Sequence, residues 1–379
     1  VSPAPSTETL RELVLLASRA PSAHNTQPWS PRLVRGAVEV SVIPSRTLPA
    51  GDPTFRDLVL SLGAWVESFA IGAAALGRRA VVEPLPALEH LDELPVTGPA
   101  DPAAPVLRIS APSASTRAKP YATPFTPDDV RRRRVHRGRL RGRPGAFDDL
   151  SALALPRWLS LRRLDDRAMG QLSRLGIAFT ASRRTVADEL LHWLRLSPAH
   201  PQYHRDGMTD AMLAMPAALA RLSAPATRRA ALRDPIVAVA GVIGRTAESL
   251  GRDAPLPPYA RSLAASPPDA PEHLVLVADT RAAGVDETIS LTEAMDSRIG
   301  LPERNVLEAG RVLQRLWLHA RVQGMAVSPH SELIDSPAAH GILRRRLSLG
   351  RADIALSVFS TGEPVGPVAR SPRLTDVTG

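Results

Sequence analysis

The chain contains no cysteine, so disulfide bonds, thiolate metal ligands and a cysteine nucleophile are excluded. Lysine is nearly missing too: of 47 basic residues only Lys119 is a lysine, and the others are arginine. No run of about 18 or more uncharged apolar residues occurs, as a membrane-spanning helix requires. Residues 1–5 do not read as a signal peptide. The expectation is a cytoplasmic protein with no membrane partner. A G-x-G-x-x-G dinucleotide loop is also absent.

What is present is ordinary for a globular protein, with 44% hydrophobic and 22% charged residues. At 379 residues the chain is too long for one typical core and fits two domains, or two halves sharing an interface. Its formal charge is +9. Arginine in an Ala- and Pro-rich chain reflects a GC-rich genome, yet it is also the better side chain for bidentate phosphate contacts. Nucleic acid, an acidic surface and a phosphorylated cofactor all suit such a charge, which alone does not choose among them.

The most polar stretch is residues 20–29, A-P-S-A-H-N-T-Q-P-W. Pro21 and Pro28 restrict the residues before them to extended or turn geometry. Between them Ser22, His24, Asn25, Thr26 and Gln27 offer hydroxyls, an imidazole and two carboxamides. A carboxamide presents a donor beside an acceptor, which suits the edge of a planar heterocycle. The bland alternative is a polar capping loop.

Apolar spacing predicts a helix over residues 9–19 before this loop and a hairpin over 32–43 after it, with Gly36 at the turn. Residues 62–76 read as a helix that is apolar almost all round, and so buried on most faces. Residues 309–328 repeat that pattern of glycine, long helix, capping glycine and short strand. Gly63 and Gly77 are 14 positions apart, as are Gly310 and Gly324, at a constant offset of 247. This is an internal repeat by pattern. A Pro/Ser/Ala-rich stretch over 111–127 would join the copies.

Residues 131–140, R-R-R-R-V-H-R-G-R-L, read by default as a solvated charged face. Residues 165–234 have no counterpart in the first half; helices are predicted over 167–179 and 185–196. His192, His200 and His204 match no zinc spacing, so no metal is expected. Residues 141–144, R-G-R-P, have the core of a minor-groove hook but lack a disordered flank, so no nucleic-acid partner is expected. Strands are predicted over 273–280 and 352–359.

The 20–29 string resembles the flavin-contacting element of the nitroreductase superfamily, and its A-H-N-T form is most similar to the Acg-like branch of long single chains in actinobacteria. The resemblance implies an α+β fold of two tandem fused halves, 1–115 and 128–379, forming an intramolecular pseudo-dimer. Central antiparallel sheets would be flanked by helices, with central helices at 62–77 and 303–324 and a lid at about 165–234. The chain would be a monomer mimicking a dimer, with its C-terminal arm, 370–373, lying against the other half.

By the same resemblance the cofactor is FMN, with NAD(P)H as a possible electron donor. Arg133, Arg134, His136 and Arg137, in the element 131–137, stand in register with the family's phosphate-binding arginines. Val135 replaces the expected Ser or Thr, at a cost of about 1–3 kcal/mol for a lost bond to a charged group. Ser22, His24, Asn25 and Gln27 would contact the flavin, and backbone groups of Val327, Ser328 and Pro329 would lie near its ring. One loop and one arginine element imply one complete flavin site per chain. His24 and Tyr203 are the candidate proton donors. The implied function is hydride exchange with a small organic acceptor such as a nitro compound, a quinone or a biosynthetic intermediate. The alternative is a protein that sequesters flavin under its lid with little turnover.

Overall fold

Ser6 opens the first helix by accepting a hydrogen bond from Thr9 N, and α1 (Thr7–Ala17) then buries Leu10, Leu13, Val14 and Ala17 on one face. In the computed structural model, residues 4–94, 102–113, 121–228, 234, 238, 241–242, 270–285 and 300–374 are described. The chain forms two compact units. The first comprises Val1–Arg133, Leu301–His319 and Pro372–Gly379; the second comprises Arg134–Gly300 and Ala320–Ser371.

In the first unit, β1 (Trp29–Val34) and β2 (Ala37–Val42) form the predicted hairpin, with Trp29 opposite Val42. Asp52 then caps α2 (Arg56–Ala75), its carboxylate accepting from the backbone N of Asp57 and Leu58. This helix is long and apolar enough to cross a membrane, but it is enclosed by the protein's own core. Strands β3 (Val81–Pro84) and β4 (Pro105–Ser110) complete an antiparallel sheet of order β1-β2-β4-β3. A capping box of Thr126 and Asp129 starts α3 (Pro127–Arg132).

The second unit begins with β5 (Leu140–Arg141), α4 (Ala146–Ser151) and β6 (Leu159–Leu164). Helices α5 (Asp166–Ser182) and α6 (Arg184–His192) follow, then β7 (Leu194–Arg195), β8 (Met208–Thr209), α7 (Ala217–Arg228) and β9 (Glu272–Asp279). After α8 (Glu303–Val322) come β10 (Ala326–Pro329), α9 (Glu332–Asp335), α10 (Pro337–Arg346) and β11 (Asp353–Pro364). The sheet runs β10-β11-β9-β6, antiparallel throughout, and β5 pairs with the end of β11.

The two sheets share one connectivity. Two strands, a central helix and two further strands give the order β1-β2-β4-β3 in one and β6-β9-β11-β10 in the other. Both central helices have 20 residues, and their starts, Arg56 and Glu303, are again 247 apart. Gly63 and Gly310 meet each other: a Cβ on Gly63 would overlap Leu307 O and lie 2.8 Å from Gly310 Cα, and a Cβ on Gly310 would overlap Leu60 O. Only a residue without a side chain permits this backbone approach.

Phe125 and Val130, which lie at the expected join, pack with Leu16, Ile71 and Leu318 in the first unit, whose first segment runs to Arg133. Most of α8 also belongs to that unit, where it crosses α2. Within 165–234, where a lid is expected, α5 packs Ala168, Met169 and Leu172 into a core with Val275, Val277 and Ala355. An apolar helix face and an apolar sheet face bury each other. Beyond α5, Leu196, Ala220 and Ala224 form a smaller cluster of their own. Part of the 111–127 join, residues 114–120, lies outside the described residues.

Candidate functional site

The 20–29 loop carries three non-glycine residues in the left-handed region: His24 (φ 47°), Asn25 (φ 56°) and Gln27 (φ 52°). Such residues cost free energy and persist where their surroundings over-determine them. Here Asn25 N donates to Ser22 O at 3.0 Å and Thr26 N to Ala23 O at 3.1 Å. Gln27 N donates to Ser22 Oγ at 2.9 Å, and Arg46 Nη1 to Thr26 O at 2.6 Å. His24 is half-buried among these turns.

The carboxamides are held by the C-terminal arm within the same unit. Asn25 Nδ2 donates to Pro372 O at 3.1 Å, and Asn25 Oδ1 accepts from Arg373 Nη1 at 2.7 Å. Gln27 Oε1 accepts from Leu374 N at 2.9 Å. Both side chains are buried. These side chains, expected to hydrogen-bond a flavin, also anchor the arm, whose position only tertiary structure sets. A recess of about 10 Å³, lined by Ser22, Thr26, Arg46 and Asp52 among others, opens beside the loop, room for about one water molecule.

Arg133 is also in the first unit, buried, and donates from Nη2 to Arg19 O at 3.0 Å. Its guanidinium lies 5.8 Å from the Trp317 ring centroid. Its Nη2 thus ties down the chain just after α1, while the resemblance assigns it to the phosphate.

In the second unit the structure joins two pieces that the sequence separates by almost 200 residues. Val135 bridges Val327, His136 N donates to Val327 O at 2.9 Å, and Arg137 Nη1 donates to Pro329 O at 3.4 Å. Ser328 lies between, buried on β10. Burial, and then the positive charges of Arg370 and Arg321, lower the pKa of Arg134. The positive charges of Arg321 and Arg370 thus act on Arg134, a repulsion that an anion would relieve.

Burial lowers the pKa of His136, against a raising contact with the Arg139 backbone. Its Nε2 is buried without a hydrogen-bond partner among the described residues.

Tyr203 donates to Asp210 Oδ1 at 2.7 Å and packs edge-on against His204. Burial first, then the bond to Asp210 and its charge, push its pKa up to about 12. A phenol so held is a poor acid near neutral pH, which weighs against its expected role as proton donor. Arg141 pairs with Glu363 at 2.9 Å and Arg143 Nη1 donates to Gln323 O at 2.7 Å, so both hook arginines are built into the fold.

Sequence reading missed Arg321, which lies on a helix otherwise read as core, and named Arg370 and Arg373 only as an arm. Nothing in the pattern singled out Arg46, whose reach to Thr26 follows from the turn after β2.

No family model matches the chain. A stretch of 82 residues is 40% identical to Rv3131 of Mycobacterium tuberculosis H37Rv, provisionally named an NAD(P)H nitroreductase, covering 22% of this chain and 24% of that protein. A stretch of 80 residues is 38% identical to the acg protein of the same strain, named likewise, covering 21% and 24%. The chain therefore matches about a quarter of these relatives' length. A structure provisionally described as a nitroreductase from Anabaena variabilis aligns over 95% of this chain and 90% of its own, at 12% identity and a TM-score of 0.39. NfnB, an FMN and NADPH-dependent nitroreductase from Sphigopyxis sp. strain HMH, aligns over 64% and 93%, at 16% identity and a TM-score of 0.28. The chain is thus similar, distantly and over part of its length, to the mycobacterial Rv3131 and Acg proteins, both provisionally named NAD(P)H nitroreductases.

Proposed function

We propose that this protein is an FMN-dependent oxidoreductase that takes electrons from NAD(P)H and reduces a small organic acceptor such as a nitro compound or a quinone. The observation that carries this reading is the seating of residues 134–137 against Val327, Ser328 and Pro329 in one unit. Arg134, Arg321 and Arg370 fit a phosphate, since their mutual repulsion is what a dianion offsets. His136 Nε2 fits as well, being a buried ring nitrogen with no hydrogen-bond partner among the described residues. Val327 and Ser328 supply buried backbone on which a planar ring can rest. A bound flavin would supply the two-electron chemistry itself. The name carried by Rv3131 supports the nicotinamide donor.

In this reading the chain is a monomer standing in for a dimer. Its two sheets share one strand order, and Gly63 touches Gly310, its counterpart at the repeat offset. The protein acts in the cytoplasm.

Visible absorbance of the purified protein tests the proposal, followed by anaerobic titration with NADH or NADPH. A yellow chromophore that bleaches and recovers with a nitroaromatic or a quinone is the expected result. Bound flavin that no nicotinamide reduces would favour sequestration instead. A protein that takes up no added FMN would end both readings.

A further inference from the structure

A line of hydrogen-bonding side chains crosses the core of the second unit. His273 Nε2 lies 3.2 Å from Asp166 Oδ1, and His273 Nδ1 lies 2.7 Å from Ser360 Oγ. On the other side of that hydroxyl, His330 Nε2 lies 2.8 Å from Ser360 Oγ, and His330 Nδ1 lies 3.5 Å from Glu332 Oε1. Ser360 is 1% exposed, His273 4% and His330 7%, while the end carboxylates are 30% and 28% exposed. Both ends of the line thus reach toward solvent, and its middle is dry.

Counting protons makes this line unusual. It has four contacts: Asp166–His273, His273–Ser360, Ser360–His330 and His330–Glu332. With both carboxylates ionised and both rings neutral, the rings supply one N–H each and the serine one O–H. Three protons serve four contacts, so one contact goes unmade. One added proton completes the line, whether it rests on either ring as an imidazolium that donates from both nitrogens or on either end carboxylate; the two carboxylate-bound arrangements are mirror images. In one, Asp166 carries the proton and every donor points toward Glu332; in the other, Glu332 carries it and every donor points back.

We propose that Asp166, His273, Ser360, His330 and Glu332 form a proton relay that takes up one proton and passes it between its two carboxylate ends. In the transfer, His273 Nε2 accepts from Asp166 and His273 Nδ1 releases to Ser360 Oγ. Ser360 gives its own proton to His330 Nε2, and His330 Nδ1 releases to Glu332. Each group gains one proton and loses one, apart from the two ends, so charge and protons balance.

The surroundings favour passage over storage in the middle. Burial first, and then the charge of His330, push the pKa of His273 down to about 3, against the opposing charge of Asp165, so this ring hands a proton on rather than keeping it. At the far end burial disfavours a charged Glu332, but His330 and Arg137 outweigh it and hold its pKa below the usual carboxylate range. The charged groups facing the relay are thus Asp165, Asp166, Glu332 and Arg137. Ser360 lies opposite His273 on β9 and opposite Ser328 on β10, so the line runs one strand from the proposed ring-contacting backbone.

Its use there rests on the oxidoreductase reading. Reduction of a quinone by two electrons consumes two protons, of which a hydride brings one, and the relay would supply the second. Its existence does not rest on that reading.

Nitrogen-15 NMR of the histidine rings in protein without added flavin tests the relay over pH 4 to 9. Asp166→Asn removes the acceptor at one end while keeping its shape and leaving the buried groups in place. It is expected to move the His330 ring titration, three contacts away, by about 1 pH unit, the coupling at which sites titrate in shared steps. Ser360→Ala is expected to abolish that coupling. Solvent isotope effects on quinone reduction in these variants then report whether the relay serves turnover. Rings that keep one fixed tautomer across the range and ignore Asp166→Asn would overturn the relay, whether or not the protein binds FMN. A protein with coupled rings that binds no FMN would leave the relay standing and end only the oxidoreductase reading.

Discussion

Arg373 Nη1 donates to Asn25 Oδ1 at 2.7 Å, so one side chain near the end of the sequence holds the most polar loop near its beginning. The same guanidinium donates to Ser18 O at 3.0 Å, Arg19 O at 3.0 Å and Ala20 O at 2.9 Å. These carbonyls follow the last turn of α1, where backbone acceptors lack intrahelical partners and the helix dipole favours a cation.

Arg373→Ala is expected to release the left-handed turn at His24, Asn25 and Gln27, since charged hydrogen bonds of this kind contribute about 1.5–3 kcal/mol each. Hydrogen exchange of the 18–28 peptide should rise several-fold. Arg373→Lys should rescue it only in part, because an ammonium lacks the planar fork. Unchanged protection in the alanine variant would show that the loop holds itself.

Gly63→Ala and Gly310→Ala should each lower stability by at least about 1–3 kcal/mol, the usual cost of overpacking, because the new methyl meets backbone rather than a movable side chain. Gly77 and Gly324 have positive φ but open space around them. Their alanine variants should lose only about 1 kcal/mol. Urea midpoints of the four variants separate these two kinds of glycine.

Glu67 is fully buried on α2, and accepts from Tyr121 Oη at 2.5 Å and from Arg311 Nε at 2.9 Å. Burial first, then the charge of Glu67 and its hydrogen bond, push the Tyr121 pKa up to about 12. Glu67→Gln should bring the tyrosine titration down toward 10 while burial keeps it above. Ultraviolet titration of phenolate in the two proteins measures this, and an unmoved midpoint would mean that burial acts alone.

Acid should destabilise the second unit through His273. Its folded pKa of about 3 lies below the unfolded value of about 6.5. Between these values the unfolded chain binds more protons, so the contribution is complete above about pH 6.5 and is lost as pH falls toward 3. His273→Gln should flatten the decline of the urea midpoint between pH 6.5 and 4. A variant whose curve stays parallel to that of the parent would remove His273 from the cause.

Much of the fold was legible because it rests on local pattern. The spacing of Leu10, Leu13, Val14 and Ala17 marked α1, and alternation at Val38, Val40 and Val42 marked the β1–β2 hairpin. The paired glycines at an offset of 247 marked two central helices, and one pair, Gly63 and Gly310, proves to be where those helices touch. The site was legible as composition but not as partnership. The carboxamides of Asn25 and Gln27 read as ligand contacts, yet each has a hydrogen bond to the arm at 372–374.

The sequence by itself determined which segments are apolar on one face, which must be helices or strands, and which stretches concentrate polar groups, because these follow from neighbours within a few residues. Tertiary structure alone decided that Arg133 bonds Arg19 O just after α1 while the charges of Arg321 and Arg370 act on Arg134. It alone placed Ser360 between two histidines that lie 87 and 30 residues from it. A side chain's partners across such distances depend on strand register and helix crossing. Both are set by how whole faces pack, and no local pattern encodes them.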